Sequence, residues 1–267
     1  MTDHLLRSLA PISDAGWKLL DDEARERLAP ALAARKLVDF SGPHGWSYSA
    51  TNLGRIDQLG SAPREGVAAA RRRVLPLVEM RAEFALSVAE LRDGDRGAED
   101  VELEPLDTAA HRIALAENVA VFHGWPDCFQ GITEVSPHEP LALGDRSDDL
   151  PRPVARAVEQ LLCAGVSGPY ALALGGEQYT RVVQTAEHGG YPLWEHLRKI
   201  LDGPIVWAPG VKGAVVLSLR GEDFLFESGQ DLSLGYAGHD GENVRLYLEE
   251  SFSFRVATPE AAVVLNA

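Results

Sequence analysis

Apolar residues recur along this chain with two different periods, and the switches between them mark its elements. Ser13 is placed to cap a helix whose apolar stripe is Trp17, Leu20, Ala24 and Leu28, the spacing of one helical face. The other side carries Asp21, Asp22, Glu23, Arg25 and Glu26 and faces water. Pro30 is expected to kink or end this helix around Ala29, because proline lacks the donor and crowds the preceding turn. A charged, partly apolar stretch from Arg35 to Asp39 follows, then a Gly42-Pro43-His44-Gly45 turn carrying Trp46 and Tyr48.

Period two takes over at Met80, Ala82, Phe84, Leu86 and Val88, which alternate with Arg81, Glu83, Ala85, Ser87 and Ala89. That pattern predicts a strand with one dry face. Pro105 then opens a long helix with Leu106, Ala110, Ile113 and Glu117 at helical spacing, ending near Gly124.

The middle third alternates helix and strand. A helix through Val154, Val158 and Leu161 stops at Gly165, and a strand runs from Tyr170 to Leu174. A helix with Tyr179 and Val182 breaks at Gly189-Gly190, and another runs from Pro192 to Leu201. Short strands follow at Ile205 to Trp207, Ala214 to Leu219 and Phe224 to Phe226. A second strong alternation, Val244, Leu246, Leu248, Phe252, Phe254 and Val256, is interrupted on its apolar face by Glu250. Ala261 to Leu265 reads as a last short strand, and the class is α+β.

Between Thr51 and Arg73 the chain turns polar and Gly/Ala-rich, punctuated by Gly54, Gly60, Pro63 and Gly66. It is too long for an ordinary connection and is expected to be an extended hairpin that pairs with a neighbouring subunit.

Composition narrows the function. The 267 residues are 45% apolar and 24% charged, enough for a sizeable core. A net charge of −15 argues against nucleic acid as a partner, and Arg71-Arg72-Arg73, the one basic run, is too short for a phosphate-binding patch. Cys128 and Cys163 form no Cys-x-x-Cys pair and suit a reducing cytosol. The amino end lacks the pattern of a signal peptide, and no apolar run suggests a membrane span, so a cytoplasmic location is expected.

The usual catalytic signatures are missing: no G-x-G-x-x-G, no Walker lysine loop, no G-x-S-x-G and no H-E-x-x-H. Asp93 to Glu104 mimics part of a calcium loop, but Ala98 stands where that loop needs glycine, so a solvated turn is expected. His123 and Cys128 lack a third and fourth ligand, and His138-Glu139 is flanked by prolines. No metal and no other cofactor is expected. His188, beside Gly189-Gly190 and Tyr191-Pro192, sits in a turning loop. It is either a plain surface histidine or, with Glu187, part of a ring at a symmetry axis that gates by size and charge.

Several short motifs, in order, resemble the encapsulins, bacterial shell proteins with the HK97-like phage-capsid fold. They include Leu9-Ala10-Pro11-Ile12-Ser13 with Trp17, Arg35 to Asp39, Gly42 to Trp46, Gly168-Pro169-Tyr170, Gly229 to Tyr236 and Val244-Arg245-Leu246. The likeness covers essentially the whole chain and points to the actinobacterial type. It implies an amino-terminal helix and arm over 1–45, an extended loop over 46–75 and a peripheral domain with a long spine helix over 76–134. An axial domain over 135–227 and a return to the peripheral domain over 228–267 complete it.

The resemblance further implies a non-enzymatic, self-assembling icosahedral shell, sixty copies in the simplest case. Such a shell encloses a guest enzyme, a dye-decolourising peroxidase or a ferritin-like protein, through the guest's carboxyl-terminal tag. Carried over by position, the tag groove is Leu28, Arg35, Asp39, Leu232, Leu234 and Tyr236, and the pore loop is Glu187, His188, Gly189, Gly190 and Tyr191. Arg35 and Asp39 stand four apart, so they either fix the tag's register or pair with one another. Two departures bear on this: Gly189-Gly190 stands where relatives carry one glycine, and Ser87 to Leu91 lacks the aromatic that holds a flavin in some shells, so no flavin is expected. A bacteriocin- or protease-like enzyme and a phage major capsid protein are the alternatives; the acidic charge disfavours the second.

Overall fold

The computed structural model describes residues 4–144, 149–185 and 192–266. Helix α1 (Asp14–Ala31) begins where Ser13 Oγ accepts the Gly16 N–H at 2.9 Å, and Trp17, Leu20, Ala24 and Leu28 are buried along it. The helix continues one residue past Pro30. The proline sits so close to the end that few bonds remain to be lost, and the Leu32 N–H still reaches Leu28 O at 3.0 Å.

The first sheet is organised by the fourteen-residue strand β11 (Asn243–Val256). Strand β4 (Val78–Ser87) pairs antiparallel along one side of it. On the other side β10 (Ser233–His239) covers its first half and β9 (Phe224–Ser228) its second, and β1 (Asp39–Ser41) adds to β9 in parallel. Every residue of β11 from Leu246 to Phe254 is buried, so both faces of this strand are covered.

The second sheet runs β5 (Leu141–Ala142), β12 (Ala262–Asn266), β8 (Ala214–Ser218), β6 (Tyr170–Leu174), β7 (Ile205–Trp207). Strands β6 and β8 are buried at every position, and α5 (Pro151–Cys163), α6 (Gly176–Gln184) and α7 (Leu193–Leu201) pack around them. The last strand thus leaves the first sheet and serves the second, so the stretch 228–267 contributes to both.

The expected arm is an antiparallel hairpin, β2 (Ala50–Leu59) with β3 (Ala69–Pro76), which forms a two-stranded sheet of its own. Arg71, Arg72 and Arg73 lie on β3, and all three are exposed. The turn ahead of the arm is fastened to the end of β9, where the His44 and Gly45 N–H groups bond Ser228 O and Gly229 O at 3.0 and 2.8 Å. Gly42 is required there: it has φ +117°, and a Cβ would stand 2.4 Å from Ser228 O.

Two changes from the sequence pattern are local. Val88 opens a short helix, α2 (Val88–Asp95), instead of ending β4, because Ser87 Oγ caps it by accepting the Ala89 N–H at 3.1 Å. Two acids of the calcium-like stretch have side-chain partners: Asp93 pairs with Arg96, and Asp95 accepts from Ser13.

Helix α3 (Glu104–His123) is the spine. Its first half, Leu106 to Ala114, packs in one core with α1, β4, β10 and β11, and its end, Ala120 to Phe122, packs in the core of the second sheet. The short α4 (Ile132–Val135) follows it. Between the two halves stands Asn118, fully buried. Its Oδ1 accepts the Ala33 and Ala34 N–H groups at 3.0 Å each, and its Nδ2 donates to Ala31 O at 2.8 Å and Pro209 O at 3.1 Å. One amide therefore closes the end of α1, starts the next turn and holds the loop before β8. Asn118→Ala strands the Ala34 N–H and Pro209 O out of water and leaves the Ala33 N–H and Ala31 O only their bond to each other, at about 1–3 kcal/mol for each unsatisfied group before relaxation. The expected loss of stability is about 3 kcal/mol or more, read as a lowered denaturant midpoint with an unchanged slope.

Candidate functional site

Where α1 ends, the edge of its apolar stripe lies across from the start of β10, and a depression of about 470 Å³ opens between them. Ala24, Leu28 and Leu32 form the helical wall, Leu232 and Leu234 the strand wall, and Leu248 of β11 lines it as well. Leu28 and Leu234 are buried, while Leu32 and Leu232 are half-buried. Arg7, Asp21 and Arg25 lie along one part of the lining and Arg35 with Asp231 along another. The charges are mostly paired, with Arg7 to Asp21 at 2.7 Å, Arg25 to Asp22 at 2.8 Å and Arg35 to Asp231 at 2.5 Å. The result is an apolar trough with a nearly neutral polar rim. It suits an extended apolar peptide better than a charged small molecule.

Four of the six expected groove residues line this trough: Leu28, Arg35, Leu232 and Leu234. Tyr236 lies just beyond, on the same face of β10 as Leu234, and is buried. Its hydroxyl bonds His239 Nδ1, and its N–H donates to Leu5 O at 2.8 Å, so the amino-terminal segment covers that stretch of the strand edge. Asp39 is not among the lining residues; it sits on β1, paired with Leu225 of β9. The pore-loop residues Glu187, His188, Gly189, Gly190 and Tyr191 lie outside the described residues.

Arg35 does not pair with Asp39. Its Nε, Nη1 and Nη2 donate to Glu117 Oε2 at 2.6 Å, Asp231 Oδ1 at 2.5 Å and Glu250 Oε2 at 2.6 Å. The guanidinium also lies over Phe40 and Phe226, at 5.1 and 5.5 Å from the ring centres. Burial opposes its charge, yet Glu117, Glu250 and Asp231 outweigh that and raise its pKa above the ordinary arginine value. Burial drives the pKa of both acids upward: that of Glu250 well above the usual carboxyl value, with the charge of Glu117 adding to it, and that of Glu117 less, with Arg35 opposing.

Glu117 and Glu250 are the residues that sequence reasoning left without a role. Each stands in an otherwise apolar stripe, and an acid at such a position signals a buried cationic partner.

A family profile described as an encapsulating protein for peroxidase matches residues 1–253 of this chain. A type 1 encapsulin shell protein from Rhodospirillum rubrum is 46% identical over 270 residues, covering 99% of this chain and 96% of that one. The chain belongs to the encapsulin shell family. The type 1 encapsulin shell protein of Mycobacterium tuberculosis is 39% identical over 265 residues, covering 99% of both chains. Among solved structures, the virus-like particle from Pyrococcus furiosus matches with a TM-score of 0.65 at 19% identity, covering 94% of this chain and 99% of that one. The capsid of an empty GTA particle matches at 0.54 and 16% identity, covering 89% and 90%. The fold is the HK97-like capsid fold that the motifs implied.

For an encapsulin, the contacts of Arg35 change what its removal should do. A tag contact alone would leave the shell intact and empty. Arg35→Ala instead leaves two buried carboxyls without their cation, a change that costs about 3–5 kcal/mol in comparable sites. The expected outcome is a large drop in denaturation midpoint and poor recovery of assembled particles, measured by chemical denaturation and size-exclusion chromatography.

Proposed function

We propose that this shell protein builds a closed icosahedral compartment, sixty copies in the simplest case, that encloses a guest enzyme and performs no catalysis itself. The guest is a dye-decolourising peroxidase, with a ferritin-like protein as the alternative, held by a short carboxyl-terminal tag. Small molecules reach it through openings at symmetry axes, where Glu187, His188, Gly189, Gly190 and Tyr191 form the rim. The compartment resides in the cytoplasm.

The observation that carries the reading is the apolar trough between α1 and β10. A tag with aliphatic side chains in extended form would bury them on Leu28, Leu32, Leu232, Leu234 and Leu248. Each fully buried aliphatic side chain contributes about 1.5–3 kcal/mol. The family profile, described as an encapsulating protein for peroxidase, supports the choice of guest. No helix among the described residues is long and apolar enough to cross a membrane, which agrees with a cytoplasmic shell.

The domain division follows the same reading. Residues 1–45, 76–134 and 228–267 form the peripheral domain, 46–75 the arm and 135–227 the axial domain. Strand β12 ties the chain's end into the axial sheet. The arm lies against a second copy.

The test is co-expression with a peroxidase that keeps its carboxyl-terminal segment, beside the same peroxidase without it. Uniform hollow particles loaded only by the first are expected in electron microscopy. Leu32 and Leu232 are half-buried at the edge of the core, so Leu32→Asp and Leu232→Asp should disturb it less than changes at buried Leu28 or Leu234. Those particles should assemble normally and carry at least about tenfold less guest, the loss that about 1.4 kcal/mol produces. Full loading of both variants would remove the groove assignment. A monomer that hydrolyses peptide bonds, or particles filled with nuclease-sensitive material, would overturn the shell reading itself.

A further inference from the structure

Behind the groove, two carboxyls meet out of water. Glu117 of α3 and Glu250 of β11 are 0% and 1% exposed, and each gives one oxygen to Arg35. The remaining oxygen of each, Oε1 in both, has no donor among the described residues. The Nε and Nη2 groups that hold the two carboxyls belong to one guanidinium, so the carboxyls are neighbours on a single cation. Two ionised carboxylates offer only acceptors, so the orphaned oxygens can satisfy one another only with a proton on one of them.

We propose that Glu117 and Glu250 share a single proton and together position Arg35 at the groove wall, so that guest retention depends on that proton being held. This rests on the groove reading given above. The charge balance supports it. Asp231 is 43% exposed and is screened by water, so the buried part of the cluster is one guanidinium and two carboxyls. With the proton in place, one cation faces one carboxylate and the site is neutral. Without it, a buried negative charge is left over and the two carboxylates repel, pushing α3 and β11 apart.

The neighbouring elements offer no substitute. The groups that face the pair are Arg35, from the turn after α1, and Asp231, from the loop before β10. Strand β4 places Met80 opposite Glu250, and the next residue along, Arg81, is spent on Glu249. Phe40 of β1 and Phe226 of β9 supply ring faces and no charge. Loosening the pair therefore moves Arg35, and with it Asp231 and the start of the strand wall at Leu232, whose N–H donates to Asp231 Oδ1 at 2.8 Å.

The pH direction follows from linkage. Burial lifts the Glu250 pKa well above its ordinary value of 4.5, with Glu117 second among the causes and Arg35 opposing. Between the ordinary and the raised value the folded chain holds a proton that the unfolded chain has lost. The contribution to stability is therefore full on the acid side and declines as pH rises through that window.

Assembled shells loaded with the tagged peroxidase, taken from about pH 5 to about pH 9, test the proposal. The wild type is expected to lose thermal midpoint and guest progressively toward the alkaline end. Glu250→Gln, whose amide donates to Glu117 at every pH, should flatten both profiles and keep at least about tenfold more guest at the alkaline end. Empty wild-type shells at neutral pH should also show the infrared C=O band of a protonated carboxyl, which Glu250→Gln abolishes. Identical pH profiles in wild type and Glu250→Gln, or no protonated-carboxyl band, would overturn the shared proton. The band and the thermal profile need no guest, so they read the proton even if Leu232→Asp shells load fully. That last result would instead sink the groove and, with it, the link to retention.

Discussion

Arg35 keeps its charge under all ordinary conditions, so a core that takes it in must bring carboxylates to meet it. Here they arrive from positions 82, 196 and 215 residues away along the chain. That one requirement draws together the end of α1, the spine helix α3, the central strand β11 and the loop that leads into β10. The apolar cores on either side supply most of the cohesion, but area burial has no direction. Hydrogen bonds to a planar guanidinium do, and they set how α1 lies against the first sheet. Asn118, one residue along α3 from Glu117, does the same with neutral groups.

The groove inherits its width from this junction. Its two walls, α1 and the start of β10, belong to different elements, joined through α3, β11, the Arg35 cluster and the amino-terminal segment, where Arg7 meets Asp21 and Leu5 meets Tyr236. A trough built that way can be apolar along its floor, where the proposed guest tag would lie, and polar where its walls are anchored. Leu248 shows the economy of the arrangement: it lines the trough, belongs to the buried core and lies on the strand that carries Glu250.

Much of this was legible in the residue pattern. The long periodic elements, α1, α3, β4 and β11, show in the sequence because each repeats its apolar face often enough to exceed chance. Strands β1 and β5, of three and two residues, are too short to display a period at all. The Ser87-x-x-Glu90 spacing is a helix-start signal that the alternation through Val88 masks. At the groove, Leu28, Arg35, Leu232 and Leu234 line one trough because each lies on or beside the end of α1 or the start of β10. The pairing of Arg35 was not legible: its neighbour four residues on was the local candidate, while its true partners are distant in sequence. Only the acids standing in apolar stripes hinted at it.

The arm presents the opposite problem from the core. Its two strands expose Ile56, Leu59 and Val74, with Val67 exposed in the loop between them, and Thr51 at its root is buried through its bond to Ser253 at 2.7 Å. A lone two-stranded ribbon is marginal in water, because it has no second layer to bury against. Between Ala50 and Pro76 it also carries five arginines, Arg55, Arg64, Arg71, Arg72 and Arg73, against Asp57 and Glu65, in a chain whose net charge is −15. Under the shell reading, both features resolve together. The basic ribbon finds its missing layer on an acidic second copy, and the opposite charges speed and orient the encounter before apolar contact locks it. An acidic chain with a basic arm is thereby complementary to itself, which a chain of uniformly spread negative charge would not be.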